Sequence, residues 1–219
     1  MPDVETPNVL KKKAPTSSIP NDYIWPRGPE QDALEGARAI IAPPVGYHNL
    51  LLCAGAEKLE HFTNVNHVKV SDDDVVHPIE KMPWPFADNT VLKINIGAYL
   101  CQVRDLDTFM RECWRVLVQH GTLLVKVPYY TSEKYWSNRR NVTPITDETL
   151  GYYSTPWLKK NGVYFKPGCD FDWVGRLFYF NNDFELIGDH AREYARRHSW
   201  NVVETMEVCL SAVKPMREL

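Results

Sequence analysis

The stretch Leu50-Leu51-Leu52-Cys53-Ala54-Gly55-Ala56 decides which fold this chain is predicted to adopt. Its four apolar residues in a row, followed at once by three small residues, are typical of a strand that is buried on both faces and ends in a tight turn. In open α/β sheets, ligands bind beyond the carboxyl ends of such strands. We therefore expect the bend at Ala54-Gly55 to lead into a helix, to face the end of the strand that carries Asn66, and to border the functional site.

Short apolar runs and helical patterns alternate along the rest of the chain. Apolar residues at helical spacing predict one helix over residues 30–42, stopped by Pro43-Pro44, and a second over residues 105–117. Besides residues 50–53, the predicted strands cover residues 62–66, 75–76, 91–96, 122–127, 171–180, 184–187 and 202–213. A turn at residues 181–183 is expected to join two of them. This alternation predicts an α/β domain whose mostly parallel sheet finishes with antiparallel strands.

Composition limits the classes of function. The 219 residues are 44% hydrophobic, which is enough for one domain with a full core. The net charge is −3, from 25 basic and 28 acidic residues, so no overall field favours nucleic acid or an anionic membrane. The five cysteines are odd in number and lack zinc-ligand spacing, which favours a reduced, cytoplasmic setting. No apolar run approaches the ~20 residues that cross a bilayer, so no membrane partner is expected.

The acidic triplet Asp72-Asp73-Asp74 and the histidines His61, His67 and His77 are the residues that most suggest a metal. Three consecutive acids point in different directions, and the histidines fall at three different points of the strand pattern. A solvated turn therefore accounts better for the triplet. No metal site is predicted.

The first 29 residues differ in composition from the rest. They contain six prolines and the triplet Lys11-Lys12-Lys13, which disfavour regular hydrogen-bonded structure. We predict an extended, proline-rich tail over residues 1–29 and a single domain over residues 30–219. A tail of this kind is suited to lying along its own domain or to holding a partner protein.

Three ordered stretches resemble one family. Residues 50–55 with His61-Phe62-Thr63-Asn64-Val65-Asn66 are similar to a glycine-rich loop followed by a "GF-x-NVD" strand. Met82-Pro83-Trp84-Pro85-Phe86-Ala87-Asp88-Asn89-Thr90 is similar to "LP-x-PF-x-DNSFD", and residues 109–117 are similar to "F-x-x-E-x-x-RVLKPGG". Together, from about Tyr47 to Tyr153, the chain resembles class I S-adenosylmethionine-dependent methyltransferases of the "type 11" group.

The resemblance implies a Rossmann-like fold: a mostly parallel seven-stranded sheet with an antiparallel last strand and helices on both faces. It implies S-adenosylmethionine as cofactor, held by Cys53, Ala54, Gly55, Asn66, His77, Ile96 and Gly97. It places a methyl acceptor beside Tyr129, Tyr130, Trp136 and Asn141, although these residues are also suited to capping the sheet. Methyl transfer needs little beyond alignment of the reacting atoms, so the resemblance names no catalytic residue.

Departures from the family pattern cluster on the cofactor side. They are Cys53 for the first glycine, Asn66 for the ribose-binding carboxylate, Pro78 and Leu92 for aspartates, Cys101-Gln102 for a Glu-His pair, and residues 118–121 for "KPGG". Losing two contacts, at roughly 1.4 kcal/mol per tenfold, moves a micromolar ligand toward the millimolar range. The sequence thus indicates a weakened or abandoned cofactor site, or a pocket rebuilt with other groups.

Two hypotheses from different classes follow. The first is a methyltransferase acting on a small-molecule, glycan or nucleotide acceptor. The second is a catalytically inactive descendant that serves as an interaction module in a larger assembly, tethered by its tail. Nucleic acid is a further possible partner, and binding it would need a basic patch. The candidate residues for that patch are Arg139-Arg140, Lys159-Lys160, Arg192, Arg196 and Arg197. A set of separate, solvated basic surfaces fits the negative net charge better.

Overall fold

The computed structural model describes residues 29–72, 74–184 and 188–219. In these ranges the strands are β1 (His48–Leu52), β2 (Thr63–Asn66), β3 (Val75–Val76), β4 (Val91–Ile96), β5 (Leu117–Pro128), β6 (Phe171–Phe180) and β7 (Val203–Ala212). The α-helices are α1 (Pro29–Arg38), α2 (Leu106–Val116), α3 (Glu133–Trp136), α4 (Asp147–Gly151), α5 (Thr155–Asn161) and α6 (Asp189–His198). Short 3-10 turns occupy Ala98–Gln102 and Asn182–Phe184.

The strands form one seven-stranded sheet in the order β3-β2-β1-β4-β5-β7-β6. All pairs from β3 to β5 are parallel, and β7 runs antiparallel to both of its neighbours. Register places Leu52 opposite both Val65 and Ile96, so β1, β2 and β4 end at the same edge. The predicted mostly parallel sheet with an antiparallel last strand is confirmed.

The hydrophobic core lies on one face of this sheet. Leu50, Ile94 and Leu123 share a register row and are buried in one cluster with Phe109 of α2. Helix α2 begins where predicted because the Asp105 carboxylate accepts a hydrogen bond from the Thr108 backbone N–H at 2.9 Å and so caps its first turn. Burial of each large apolar side chain on this face contributes roughly 1.5–3 kcal/mol.

The opposite face, which we call the α1 face, is only partly covered. Helix α1 packs mainly against β6, and its last turn meets Lys93 and Glu207, whose side chains point away from the core. The connection from β1 to β2 spans residues 53–62 and contains turns alone. Within the described residues, no helix covers the part of the α1 face formed by β1 and β2.

The prediction that the Ala54-Gly55 bend leads into a helix is therefore wrong. Three residues of this segment have a positive φ, which interrupts helical backbone near both of its ends: Cys53 at 51°, Gly55 at 63° and His61 at 62°. The stretch between Gly55 and His61 is too short to nucleate a helix. The other part of that prediction is confirmed, because the Asn66 side chain reaches the Gly55 carbonyl.

Further boundaries also differ from the sequence prediction. Strand β5 begins at Leu117 rather than at residue 122, because Leu117 already pairs with Val91 of β4. The first helix ends at Arg38 rather than at residue 42, because the Lys93 ammonium donates to the Ala37 and Ala39 carbonyls and takes the place of the next helical turn. Phe184 lies in a 3-10 turn, not in a strand, and β6 pairs with β7. Residues 185–187 of that predicted strand lie outside the described residues, as does the predicted tail up to residue 28.

Candidate functional site

A cavity of about 770 Å³ opens where the carboxyl ends of β1 and β4 meet the α1 face. Cys53 and Ala54 border it from the β1 turn, and Ile96 and Gly97 border it from the end of β4. These four are the predicted cofactor residues that the fold brings together. Gly55, Asn66 and His77 do not line this space.

Cys53 occupies a position that favours glycine. Its φ of 51° places it in the left-handed region, while its backbone N–H extends the sheet by donating to the Val65 carbonyl at 2.9 Å. A non-glycine residue held there costs on the order of 1–3 kcal/mol. Burial, with a smaller contribution from Glu80, raises the pKa of the Cys53 thiol to about 12. The thiol is therefore protonated near neutral pH and is not a thiolate nucleophile.

Asn66 acts as a brace behind the β1 turn. The side chain is buried, and its Nδ2 donates to the Gly55 carbonyl at 3.2 Å and to Asp74 Oδ2 at 3.0 Å. The same carboxylate accepts from the Ser71 hydroxyl and from the backbone N–H groups of Ser71 and Val70. The hydrogen bonds from Ser71 and Asn66 hold the pKa of Asp74 well below its usual range. The amide thus ties the turn to the loop before β3.

This arrangement does not fit S-adenosylmethionine in the family's binding mode. That mode needs a carboxylate at the end of β2 facing the ribose diol. Here both Nδ2 hydrogen bonds of the buried Asn66 are directed within the protein, and the side chain does not border the cavity. With Nδ2 engaged in this way, Oδ1 is the single neutral acceptor that the side chain can offer the diol, in place of the two charged oxygens of a carboxylate.

The cavity floor is an ion network. Glu207 is 2% exposed and accepts from Arg38 Nε at 2.6 Å, from Arg38 Nη2 at 2.9 Å and from the Tyr179 hydroxyl at 2.7 Å. Burial acts to raise the pKa of Glu207, but these hydrogen bonds outweigh it and the pKa is lowered. Lys126 lies 4.7 Å from the centre of the Tyr179 ring. The sequence analysis missed this network, although an acidic residue inside the apolar strand 202–213 was a usable signal.

The predicted acceptor residues do not border this cavity. Tyr129 is buried, and its hydroxyl accepts from Arg196 at 2.8 Å. Asn141 donates to the Tyr135 carbonyl at 2.8 Å and closes a turn. Tyr130 joins Tyr129 at a separate, smaller cavity of about 340 Å³ next to α6. Trp136 is exposed on the protein surface.

The remaining polar candidates are dispersed. His77 Nε2 hydrogen-bonds the Lys81 carbonyl at 2.7 Å, and no group of three potential metal ligands occurs in the part of the chain that the structure describes. Arg192 and Arg196 pack over the Phe180 and Phe178 rings. No described helix is long and apolar enough to cross a membrane.

The basic residues considered for a nucleic-acid patch fall on different edges. Helix α5, which carries Lys159 and Lys160, is tied through Thr155 to Asp170 at the start of β6. Arg139-Arg140 instead follow the end of β5, which runs in the same direction as β6. The two basic pairs therefore lie at opposite edges of the sheet and do not form one surface.

Comparison with known proteins identifies the fold. No family model matches the sequence, and no curated protein matches it. A chain from the complex between the Haloferax volcanii Trm112 methyltransferase activator and its methyltransferase partner matches with a TM-score of 0.54 and 12% identity, over 87% of this chain and 92% of that one. A SAM-dependent methyltransferase from Archaeoglobus fulgidus matches with a TM-score of 0.51 and 12% identity, over 76% and 86%. The domain has the Rossmann-like class I methyltransferase fold.

Proposed function

We propose that this chain is a catalytically inactive methyltransferase-fold protein that works as an interaction module in a larger assembly. The observation that carries the proposal is the engagement of Asn66. A buried amide bonded to Gly55 and Asp74 replaces the carboxylate that would hold the cofactor ribose. The turn in front of it carries Cys53 in a left-handed conformation, where the family has glycine.

Both features weaken the binding of S-adenosylmethionine. A hydrogen bond to a charged carboxylate contributes roughly 1.5–3 kcal/mol, and the diol of the cofactor would lose such bonds. The Cys53 side chain, which borders the cavity, also restricts the approach of a ligand to the turn. Each 1.4 kcal/mol is tenfold in affinity, so we expect a dissociation constant in the millimolar range or no binding.

Calorimetry with S-adenosylmethionine and S-adenosylhomocysteine tests the proposal directly. We expect no binding tighter than millimolar. A dissociation constant below about 100 μM, roughly 5.5 kcal/mol, would overturn the proposal and support methyl transfer to a small-molecule, glycan or nucleotide acceptor. In that case the cavity beside Cys53, Ala54, Ile96 and Gly97 would be the place to look for the cofactor.

A matched double variant sharpens this experiment. Cys53→Gly with Asn66→Asp supplies the two residues that the family pattern has at these positions. If the folded double variant gains cofactor binding that the natural chain lacks, the loss is traced to these two positions. Circular dichroism on the same sample confirms that the variant is folded.

A protein partner and a cytoplasmic location are part of the same proposal. The Haloferax volcanii neighbour comes from a complex between a methyltransferase and an activator protein, which supports a protein partner for this fold. All five cysteines of this chain are free, as expected in a reducing compartment. Deleting residues 2–28 should release the chain from complexes isolated from its own source while leaving the domain folded. Full retention in those complexes would contradict the role of the tail.

A further inference from the structure

Two tryptophans are held side by side on the surface at the carboxyl edge of the sheet. Trp136, at the end of α3, is 62% exposed, and Trp200, just before β7, is 65% exposed. Their ring centroids lie 6.1 Å apart with the planes tilted by 43°. Apolar rings of this size are normally used in cores and interfaces, so a fixed and exposed pair indicates a ligand.

Backbone hydrogen bonds and one core ring fix this part of the surface, because Trp136 packs edge-on against the buried Tyr135 ring at 5.1 Å. Trp136 Nε1 donates to the Tyr130 carbonyl at 2.9 Å. The neighbour of Trp200, Asn201, has a φ of 58°, donates its N–H to the Thr131 carbonyl at 2.9 Å and accepts from the Glu133 N–H at 3.2 Å. These bonds tie the segment before β7 to α3. The rings are therefore positioned before any ligand arrives, which lowers the entropic cost of binding.

Two exposed arginines lie three and four residues after Trp136. Arg139 and Arg140 are the central residues of a turn closed by the Asn141 N–H and the Asn138 carbonyl at 3.0 Å. Both are exposed, and neither side chain forms an ion pair or hydrogen bond with any residue the structure describes. The nearby cations Lys134 and Arg197 do form ion pairs, Lys134 with Glu204 and Arg197 with Glu193, which Arg196 shares. The turn thus presents two uncompensated guanidinium groups.

A second ring pair continues along the same edge. His67 and Tyr99, which follow the ends of β2 and β4, have ring centroids 5.9 Å apart. From β2 to β7 the sheet advances by four strand positions, which is about 19 Å at ~4.8 Å per strand. The two ring pairs and the Arg139-Arg140 turn thus share one edge, over a path long enough for several nucleotides.

We infer that this edge, formed by Trp136, Trp200, Arg139 and Arg140, binds single-stranded nucleic acid. Bases stack on exposed aromatic rings, and guanidinium groups pair with the backbone phosphates. Stacking of this kind tolerates any base, so the binding has little sequence preference. The inference rests on the proposed function in one respect, namely that the domain acts by binding. It adds the class of ligand that the domain binds.

Tryptophan fluorescence of the full-length chain, titrated with oligo(dT) and oligo(U), is the experiment. We expect saturable quenching that Trp136→Ala or Trp200→Ala weakens by about fivefold or more, since stacking supports each base. Two phosphate contacts predict a salt slope near −1.4, so affinity should fall about sevenfold between roughly 50 and 200 mM salt. The pair Arg139→Ala and Arg140→Ala should flatten that slope.

Matched controls come from the opposite edge of the sheet. Lys159 and Lys160 are likewise adjacent and exposed, and Tyr164 is a fully exposed aromatic residue. Lys159→Ala with Lys160→Ala, and Tyr164→Ala, should leave oligonucleotide binding unchanged. An equal loss in the controls would overturn the inference, as would the absence of quenching by oligonucleotides. Quenching by proline-rich peptides alone would also overturn it and assign the edge to protein docking. Cofactor calorimetry is a separate measurement, so either proposal can fail alone.

Discussion

Replacing Arg38 with methionine should destabilise the domain by about 2–3 kcal/mol. The substitution keeps the apolar stem of the side chain but removes both guanidinium hydrogen bonds to the buried Glu207 carboxylate. Removing one partner of a fully buried ion pair costs roughly 3–5 kcal/mol. Arg38 is 35% exposed, so water reaches part of the pair and the expected cost falls to the bottom of that range or below it, about 2–3 kcal/mol.

Urea unfolding followed by circular dichroism measures this cost. With a slope of about 3 kcal/mol per molar, the midpoint should fall by roughly 0.7–1 M. Adding Glu207→Gln to Arg38→Met should recover at least half of the loss, because the orphaned charge is then gone. Arg104→Met is the matched control, since Arg104 is exposed and its backbone N–H alone makes a described hydrogen bond.

The pH dependence separates this explanation from a packing defect. The pKa of Glu207 is lowered in the folded protein, so its stabilisation is present above the ordinary value of 4.5 and is lost as pH falls below it. Without Arg38, burial is no longer offset and raises that pKa. The difference in the free energy of unfolding between the natural chain and Arg38→Met should therefore become smaller as the pH is lowered from 7 to about 4.5. If Arg38→Met lowers the free energy of unfolding by less than about 0.5 kcal/mol, or by an amount that does not change with pH, the reasoning is refuted.

Three further outcomes are expected. Asn66→Asp should cost about 2 kcal/mol, because the Gly55 carbonyl loses its donor and two carboxylates then face each other. That cost should shrink on acidification as the new carboxylate protonates, and a pH-independent cost in urea melts would argue against the brace. The Cys53 pKa of about 12, against an ordinary 9.0, predicts alkylation by iodoacetamide at pH 8 about a thousandfold slower than for free cysteine. Mass spectrometry of native and urea-unfolded samples measures this, and equal rates would contradict the burial of the thiol. Asp105→Ala should lower stability by about 1 kcal/mol, because the Thr108 N–H loses its cap, and an unchanged urea midpoint would exclude that role.

Features encoded by neighbouring residues could be predicted from the sequence. The apolar runs at residues 50–53 and 91–96 gave strands because continuous hydrophobic segments are stable only when buried on both faces. The bounds of α2 followed from Asp105 and the apolar spacing after it. The proximity of the β1 turn and Gly97 followed from the rule that parallel strands end at one edge.

Features that depend on distant segments could not be predicted in this way. The length of α1 is set by Lys93, which lies 54 residues after Ala39. The cavity floor joins Arg38 to Glu207, and that pairing requires the order of β5, β7 and β6. Trp200 meets Trp136 only because the segment before β7 returns to α3. Periodicity carries no information on such pairings.

The segment between β1 and β2, which contains no helix, makes the domain tolerant of insertions at one point. Its ends are already fixed by the sheet, and residues 55–58 are exposed. Residues added after Glu57 would leave in place the Gly55 and Glu57 carbonyls that the buried Asn66 and Asn64 side chains hold. Doubling such a segment costs only about 0.6 kcal/mol of closure entropy. A single insertion here could therefore add a new structural layer, or an engineered recognition element, to the molecule while the strand order of the sheet stays unchanged.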